Sequence, residues 1–252
     1  MTAERPATGH DDWSSRDGGA LVVGASGAIG AEVARLLLLR GARVGVTYRS
    51  HPVELAPAWR LDLGDAEACA RVVQEAESEL GGLHTLVYAA GPHVPMTHLS
   101  RVTPHRMAEQ LASDAAAFHA VVQPALPALR RTQGSLVAVT TAATTRFPVR
   151  DALSSAPKAA VEAMVRAVAA EEGRYGVRAN CVGPGMLTDG MAERLISSGE
   201  LDERALEVTR GNIPLRRFGT AADVAEAVCF LASGAAGFIS GQKLDVDGGY
   251  GV

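Results

Sequence analysis

The chain has 252 residues, of which 47% are hydrophobic and 21% charged, and its formal net charge is −4. This length and composition are typical of one globular domain of enzyme size. Because no basic block stands out, we expect neither nucleic acid nor an anionic membrane as a partner. Cys69, Cys181 and Cys229 lie far apart without a CxxC pair, so the sequence predicts no disulfide framework, no metal site and a reducing cytoplasmic location.

Short apolar runs alternate with helical patterns along most of the chain. This alternation predicts an α/β fold of the Rossmann type, with a doubly wound parallel sheet of seven strands and helices on both faces. Residues 1–19 are polar and predicted to be a flexible tail, and residues 20–252 to be a single domain. The segment 186–218 has no strand pattern and is predicted to be a mobile helical flap over a cleft. The predicted strands are 20–24, 42–48, 59–61, 83–90, 135–140, 177–182 and 243–246.

A glycine-rich turn follows the first predicted strand and opens a helix. In such a turn the backbone N–H groups and the helix dipole hold a pyrophosphate, and the missing Cβ of glycine lets the phosphate oxygens approach. The alternative is a tight strand-to-helix turn of the kind found in any α/β protein. If the turn binds a dinucleotide, the residues that hold it are Gly24, Ser26, Gly27, Ile29 and Gly30.

The end of the second predicted strand, Tyr48-Arg49-Ser50, carries no acidic side chain. An acid at this place binds the ribose hydroxyls of NAD, whereas an arginine accepts the 2′-phosphate of NADP. Arg49 and Ser50 therefore favour NADPH, against the alternative of a solvated strand end. Asp62 and Leu63, at the end of the third strand, are predicted to meet the adenine.

The chain resembles the short-chain dehydrogenase/reductase family from about Ala20 to Gly249. The resemblance depends on the glycine turn, on Asn180-Cys181-Val182-Gly183-Pro184-Gly185, on Pro214-Leu215-Arg216-Arg217-Phe218-Gly219 and on the run from Gly241 to Gly249. It implies an oxidoreductase with a small-molecule substrate, assembled as a homodimer or homotetramer. Further cofactor contacts implied by the resemblance are Ala90, Gly91, Lys158, Pro184, Gly185, Leu187 and Thr188.

The catalytic positions depart from the family pattern. In the family a tyrosine donates or accepts the proton, and a lysine four residues later lowers the pKa of that tyrosine. A serine binds the substrate carbonyl, and an asparagine holds a chain of water molecules. Lys158 matches the lysine, but Ser154 stands at the tyrosine position, Thr141 at the serine position and Asp114 at the asparagine position. A serine hydroxyl is much less acidic than a phenol, so we expect the usual proton donor to be absent.

These departures lead to several hypotheses about function. The first is an NADPH-dependent reductase of a conjugated carbonyl or quinone-like, polyketide-type compound, whose reduced anion is delocalised. A variant of it assigns the proton to His93, on the loop after the fourth strand. One alternative is a catalytically silent protein that binds a cofactor or a partner. The other is a cyclase or isomerase that uses the same fold without net redox chemistry.

Overall fold

The computed structural model describes residues 13–92, 94–189 and 203–252. Within these residues seven parallel strands form one sheet in the order β3-β2-β1-β4-β5-β6-β7. The predicted doubly wound Rossmann-type sheet is therefore confirmed. The strands are β1 Gly19–Val23, β2 Val44–Tyr48, β3 Ala58–Arg60, β4 Leu83–Tyr88, β5 Ser135–Val139, β6 Arg178–Pro184 and β7 Lys243–Val246.

Helices connect the strands and cover both faces of the sheet. Local signals mark where several helices begin and end. The Asp65 carboxylate accepts a hydrogen bond from the N–H of Ala68 at the start of α2, and Gly81, with φ +70°, ends that helix. Thr220 and Asp223 form a capping box at the start of α7. The helices are α1 Ala28–Leu39, α2 Ala66–Leu80, α3 Pro104–Leu111, α4 Ala117–Thr132, α5 Ala152–Glu172, α6 Glu203–Asn212 and α7 Ala221–Ala232.

The core consists of two apolar layers, one on each side of the sheet. In β1 the side chains alternate, so that Leu21 and Val23 pack with α2, α4 and α5, whereas Ala20 and Val22 pack with α1 and α7. All five residues of β1 are buried. A strand covered on both faces needs a continuous apolar run, which is why the sequence signal for this strand is strong.

The prediction of a flexible tail over residues 1–19 is wrong for its last part. Trp13–Ser15 form a 3₁₀ turn, and the Trp13 side chain is 1% exposed. Its ring packs against that of His84 at 5.7 Å, and the Arg16 guanidinium lies 4.2 Å above it. Burial of a large indole stabilises this segment enough to join it to the domain. Residues 1–12 lie outside the described part of the chain.

The helical segment between β4 and β5 is divided into two helices. A π-helical turn, Ala112–Ala116, separates α3 from α4. One extra residue in such a turn shifts the side chains that follow, and these turns occur often at functional sites. The buried carboxylate of Asp114 lies in this turn.

The predicted flap at 186–218 is described in part. Leu187 pairs with Gly219 at the base of the segment, and α6 forms its second half. Residues 190–202 lie outside the described part, so the mobility of the flap stays a prediction. No helix among the described residues is both long and apolar enough to cross a bilayer.

Candidate active site

The strand order reverses between β1 and β4, and the two strands end side by side. In doubly wound sheets ligands bind in the crevice at the carboxyl ends of the strands where the order reverses. A Cβ on Gly24, directly after β1, would lie 2.8 Å from the backbone of Ala90, directly after β4. The predicted cofactor residues on these two loops are therefore in contact.

The glycine turn after β1 has the geometry of a phosphate cradle. Gly24 has φ +92°, which favours glycine, and a Cβ on Gly30 would lie 2.9 Å from the carbonyl carbon of Gly24. Ser26 and Gly27 are exposed, whereas Ile29 is half-buried against the core. No side chain caps the first turn of α1, where Gly27 is the N-cap residue. The N–H groups of this helix end are thus open to an anion.

Two arginines meet where β2 and β3 end. Arg49 and Ser50 follow β2 and are exposed, as the strand-end prediction requires. Arg60 pairs in register with Tyr48, and its Nε donates a hydrogen bond to the carbonyl oxygen of Arg49 at 3.3 Å. The sequence analysis missed Arg60, because only the strand register brings it next to Arg49.

The next predicted cofactor residues lie beyond β3. Asp62 is exposed and its carboxylate accepts a hydrogen bond from the N–H of Gly64 at 3.0 Å. Leu63 is half-buried and packs against the core. The adenine contact assigned to this pair stays a prediction.

Lys158, on α5, forms a buried ion pair with Asp114 of the π-helical turn. The Asp114 side chain is 1% exposed and that of Lys158 is 12% exposed. The amide of Gln110, one turn earlier and also buried, donates to the second oxygen of Asp114 at 3.5 Å. A Cβ on Gly91 would lie 2.9 Å from the Lys158 nitrogen, so the ammonium group lies directly over this glycine.

Ser154 and Thr141 are the two predicted hydroxyl residues of the site. Ser154 precedes Lys158 by one helical turn and is half-buried. Thr141 follows β5, is half-buried, and accepts a hydrogen bond from the N–H of Ala143 at 3.1 Å. Its neighbour Thr140 is buried, with its hydroxyl directed at the carbonyl of Val182. Thr141 thus keeps its own hydroxyl proton available.

The loop after β6 carries the remaining predicted contacts. A Cβ on Gly185 would lie 2.8 Å from the Asp247 backbone, and Pro184 is buried beside it. Leu187 is buried, whereas Thr188 is exposed and its hydroxyl donates to the carbonyl of Gly219 at 3.3 Å.

Asp151 is the N-cap residue of α5 and was not among the predicted site residues. It precedes Ser154 by three residues and Lys158 by seven, and its carbonyl accepts a hydrogen bond from the N–H of Ser154 at 2.9 Å. Burial raises the pKa of the Asp151 carboxyl from 3.8 to about 6. The sequence indicates an aspartate at the N-cap of a helix. It does not indicate that Asp151 is partly buried, because that burial depends on the tertiary structure.

All four tyrosines of the chain lie in the described residues, and none hydrogen-bonds to Lys158 there. Tyr88 is buried against Phe118, with ring centroids 5.2 Å apart and an edge-to-face geometry. Its hydroxyl has no hydrogen-bond partner, and burial raises its pKa above the usual range. Tyr88 therefore belongs to the core layer under α4.

His93, to which one variant of the first hypothesis assigns the proton, lies outside the described residues. His98 is exposed and lines a cavity of about 350 Å³ together with Met96, Thr97, Arg101 and Arg150. The three cysteines are buried and free of disulfides, as the sequence predicts.

Residues 24–251 match the family model of enoyl-(acyl carrier protein) reductases. The chain belongs to the short-chain dehydrogenase/reductase family. It is 32% identical to versicolorin reductase 1 of Aspergillus parasiticus over 250 residues, covering 91% of this chain and 95% of that protein. It is also 32% identical to the 3-oxoacyl-(acyl-carrier-protein) reductase MabA of Mycobacterium tuberculosis, over 92% of each chain.

Solved structures agree with this assignment. A short-chain type dehydrogenase/reductase from Mycobacterium ulcerans superposes with a TM-score of 0.85 at 25% identity, covering 95% of this chain and 91% of that one. The protein is thus an oxidoreductase of a family that uses nicotinamide cofactors.

Proposed function

We propose that this family member is an NADPH-dependent reductase. The observation that carries the proposal is made at the ends of β2 and β3, where the Arg60 side chain donates to the backbone carbonyl of Arg49, so that both arginines lie there. Two arginines at this place, without an acidic residue in Tyr48-Arg49-Ser50, favour a 2′-phosphate over a free ribose diol. Two relatives are named as reductases, versicolorin reductase 1 and 3-oxoacyl-(acyl-carrier-protein) reductase, which supports the direction of the reaction.

The residues fit the cofactor chemically. Gly24 and Gly30 leave space that a Cβ would fill, and the uncapped start of α1 offers N–H donors to a pyrophosphate. In this proposal Lys158, which pairs with Asp114 beside Gly91, donates to the nicotinamide ribose. When bound, the reduced nicotinamide supplies a hydride. The chain itself contributes orientation and hydroxyl groups from Ser154 and Thr141.

The proposed substrate class follows from the hydroxyl group of Ser154, four residues before Lys158. Ser154 offers a short, weakly acidic hydroxyl where the family has a tyrosine, so strong general acid catalysis is not expected from this position. A conjugated carbonyl or a quinone-like, polyketide-type acceptor forms a delocalised product anion and depends less on a proton donor. We assign the protein to this substrate class.

A nucleotide titration followed by turnover tests the proposal. The wild type is expected to bind NADPH more tightly than NADH in a fluorescence titration. Arg49→Ala and Arg60→Ala should each weaken NADPH binding by about tenfold, since each loses a charge-assisted contact of roughly 1.5 kcal/mol, and should leave NADH binding unchanged. Arg71→Ala, an exposed arginine of α2, is the matched control. The wild type should then oxidise NADPH with members of a quinone and enone panel.

Two outcomes contradict the proposal. Equal or tighter binding of NADH overturns the cofactor choice. NADPH binding without oxidation by any acceptor favours the second candidate, a catalytically silent protein. One observation supports that candidate: the Lys158 ammonium already has a carboxylate partner in Asp114.

We also propose that the protein assembles as a homodimer or homotetramer in the cytoplasm. In support, β7 ends the sheet without a further strand among the described residues. Apolar side chains on and beside this edge are exposed: Phe230, Phe238 and Leu244.

A further inference from the structure

We propose that Asp151 supplies the proton that Ser154 is too weak an acid to give. The inference rests on the proposed function and narrows its substrate class to conjugated ketones whose oxygen is protonated in the site. The inference assigns the role of proton donor to a carboxyl group at the N-terminus of α5. Neither the family pattern nor the sequence analysis points to this residue.

The first support is the geometry of the helix. Ser154 and Lys158 lie one turn apart on α5, and Asp151, the N-cap residue, precedes Ser154 by three residues and Lys158 by seven, which is close to two full turns. Ser154 is about 4.5 Å further along the axis than Asp151. The N–H of Ser154 donates to the Asp151 carbonyl at 2.9 Å, so the two residues stand one turn apart at the start of the helix.

The second support is that the Asp151 carboxylate has no structural task. Asp151 is the N-cap residue of α5, yet its side chain makes no capping hydrogen bond. An aspartate at this position normally caps its helix. Among the described residues its carboxylate takes part in no hydrogen bond or ion pair, whereas its backbone carbonyl accepts from the Ser155 hydroxyl at 2.9 Å.

The third support is the strained residue before it. Arg150 has φ +75°, a left-handed conformation that is costly for a residue with a side chain. Contacts with the β4–α3 connection hold it there: the Arg150 carbonyl accepts from the N–H of Thr97 at 2.9 Å, and its guanidinium donates to the Met96 carbonyl at 2.8 Å. These contacts fix the direction in which the chain enters Asp151.

The Asp151 carboxyl titrates near the range in which enzymes work. Burial alone raises its pKa to about 6, so a fraction of the molecules carries the proton at neutral pH. Among the described residues no charged group contributes to this shift, since burial is its one cause. The neighbouring Arg150 guanidinium is directed at the Met96 carbonyl.

In the proposed step the acceptor gains a hydride, with its two electrons, from the reduced nicotinamide, and its oxygen gains the proton of Asp151. The O–H bond of the carboxyl breaks as the O–H bond of the product forms. Water then returns a proton to the Asp151 carboxylate.

The test compares Asp151→Asn with the wild type on two acceptors. For a conjugated ketone, kcat/KM of the wild type should fall as the pH rises through about 6, because the protonated carboxyl is the active form. Asp151→Asn should lower this rate at pH 5 by about 10²-fold and remove the fall. Reduction of a quinone and binding of NADPH should be unchanged. Asp65→Asn, at the N-cap of α2, is the matched control, since asparagine caps as well as aspartate.

A second readout needs no cofactor. The pKa of Asp151 is raised in the folded state, so the folded chain binds more protons than the unfolded chain between pH 3.8 and about 6. The wild type should therefore lose stability relative to Asp151→Asn as the pH rises through this window. The difference between their urea midpoints should be flat below about pH 3 and above about pH 7.

The outcomes separate this inference from the proposed function. If the wild type binds NADPH and reduces both acceptors but Asp151→Asn keeps the ketone rate and its fall with pH, the inference is overturned and the proposed function stands. If the wild type neither binds NADPH nor reduces any acceptor, both are overturned. A pH-independent difference between the urea midpoints contradicts the titration and also overturns the inference.

Discussion

At the scale of single residues, the ion pair of Lys158 with Asp114 should be sensitive to loss of one partner. Asp114→Asn leaves a largely buried ammonium without its counter-charge, which should lower the free energy of unfolding by about 3 kcal/mol. Adding Lys158→Met removes the uncompensated charge and should restore most of that loss. Urea unfolding of the two single variants and the double variant gives the coupling energy. A double variant less stable than Asp114→Asn would contradict the expectation.

The same scale shows what the sequence could and could not predict. Lys158 and Asp114 were identified from family positions, and the structure pairs them. Arg60 and Asp151 were missed for a common reason. The pairing of β3 with β2 brings Arg60 next to Arg49, and burial raises the pKa of Asp151. Strand pairing and burial both depend on residues distant in the chain, so the local sequence does not predict them.

At the scale of elements, the turn from β1 to α1 depends on the absence of a Cβ at Gly30. Gly30→Ala would push a methyl group into the backbone of Gly24, which has no flexible end to move aside. We expect a loss of about 2 kcal/mol in stability and weaker NADPH binding, because the phosphate cradle itself must shift. Urea unfolding and nucleotide titration measure the two effects.

Gly27 supplies the control for this substitution. A Cβ on Gly27 would lie 3.5 Å from the carbonyl oxygen of Gly24, an ordinary contact, and the residue has φ −88°. Gly27→Ala should therefore change stability by less than about 1 kcal/mol. Equal losses for the two variants would show that steric conflict at Gly30 is not the cause.

The elements themselves were largely predictable. Each strand of the sheet was placed within about two residues, because strands buried on both faces require apolar runs that glycines and polar residues interrupt. The π-helical turn at Ala112–Ala116 was not predicted, since one extra residue in a helix leaves no compositional mark. The buried Trp13 was missed because a single indole in a polar segment gives no periodicity.

At the scale of the whole molecule, the strand order could be expected only by resemblance. Alternating strands and helices are compatible with several parallel orders, and local patterns do not choose among them. The reversal between β1 and β4 is nevertheless the feature that brings the loop of Gly24 against that of Ala90. The location of the site is thus a property of the topology.

The exposed edge at β7 leads to a prediction about assembly. Leu244 on β7 and Phe230 on α7 are each 41% exposed, and an unpaired edge strand invites pairing with another chain. In an assembly with two-fold symmetry, Leu244→Arg would bury two like charges near each other. We expect it to weaken association by roughly 10²-fold, or about 3 kcal/mol, and to shift the mass measured by light scattering toward the monomer.

Leu55→Arg is the control: Leu55 is 40% exposed on the connection to β3, at the opposite edge of the sheet. A monomeric wild type at micromolar concentration, or an unchanged mass for Leu244→Arg, would exclude this edge as the interface.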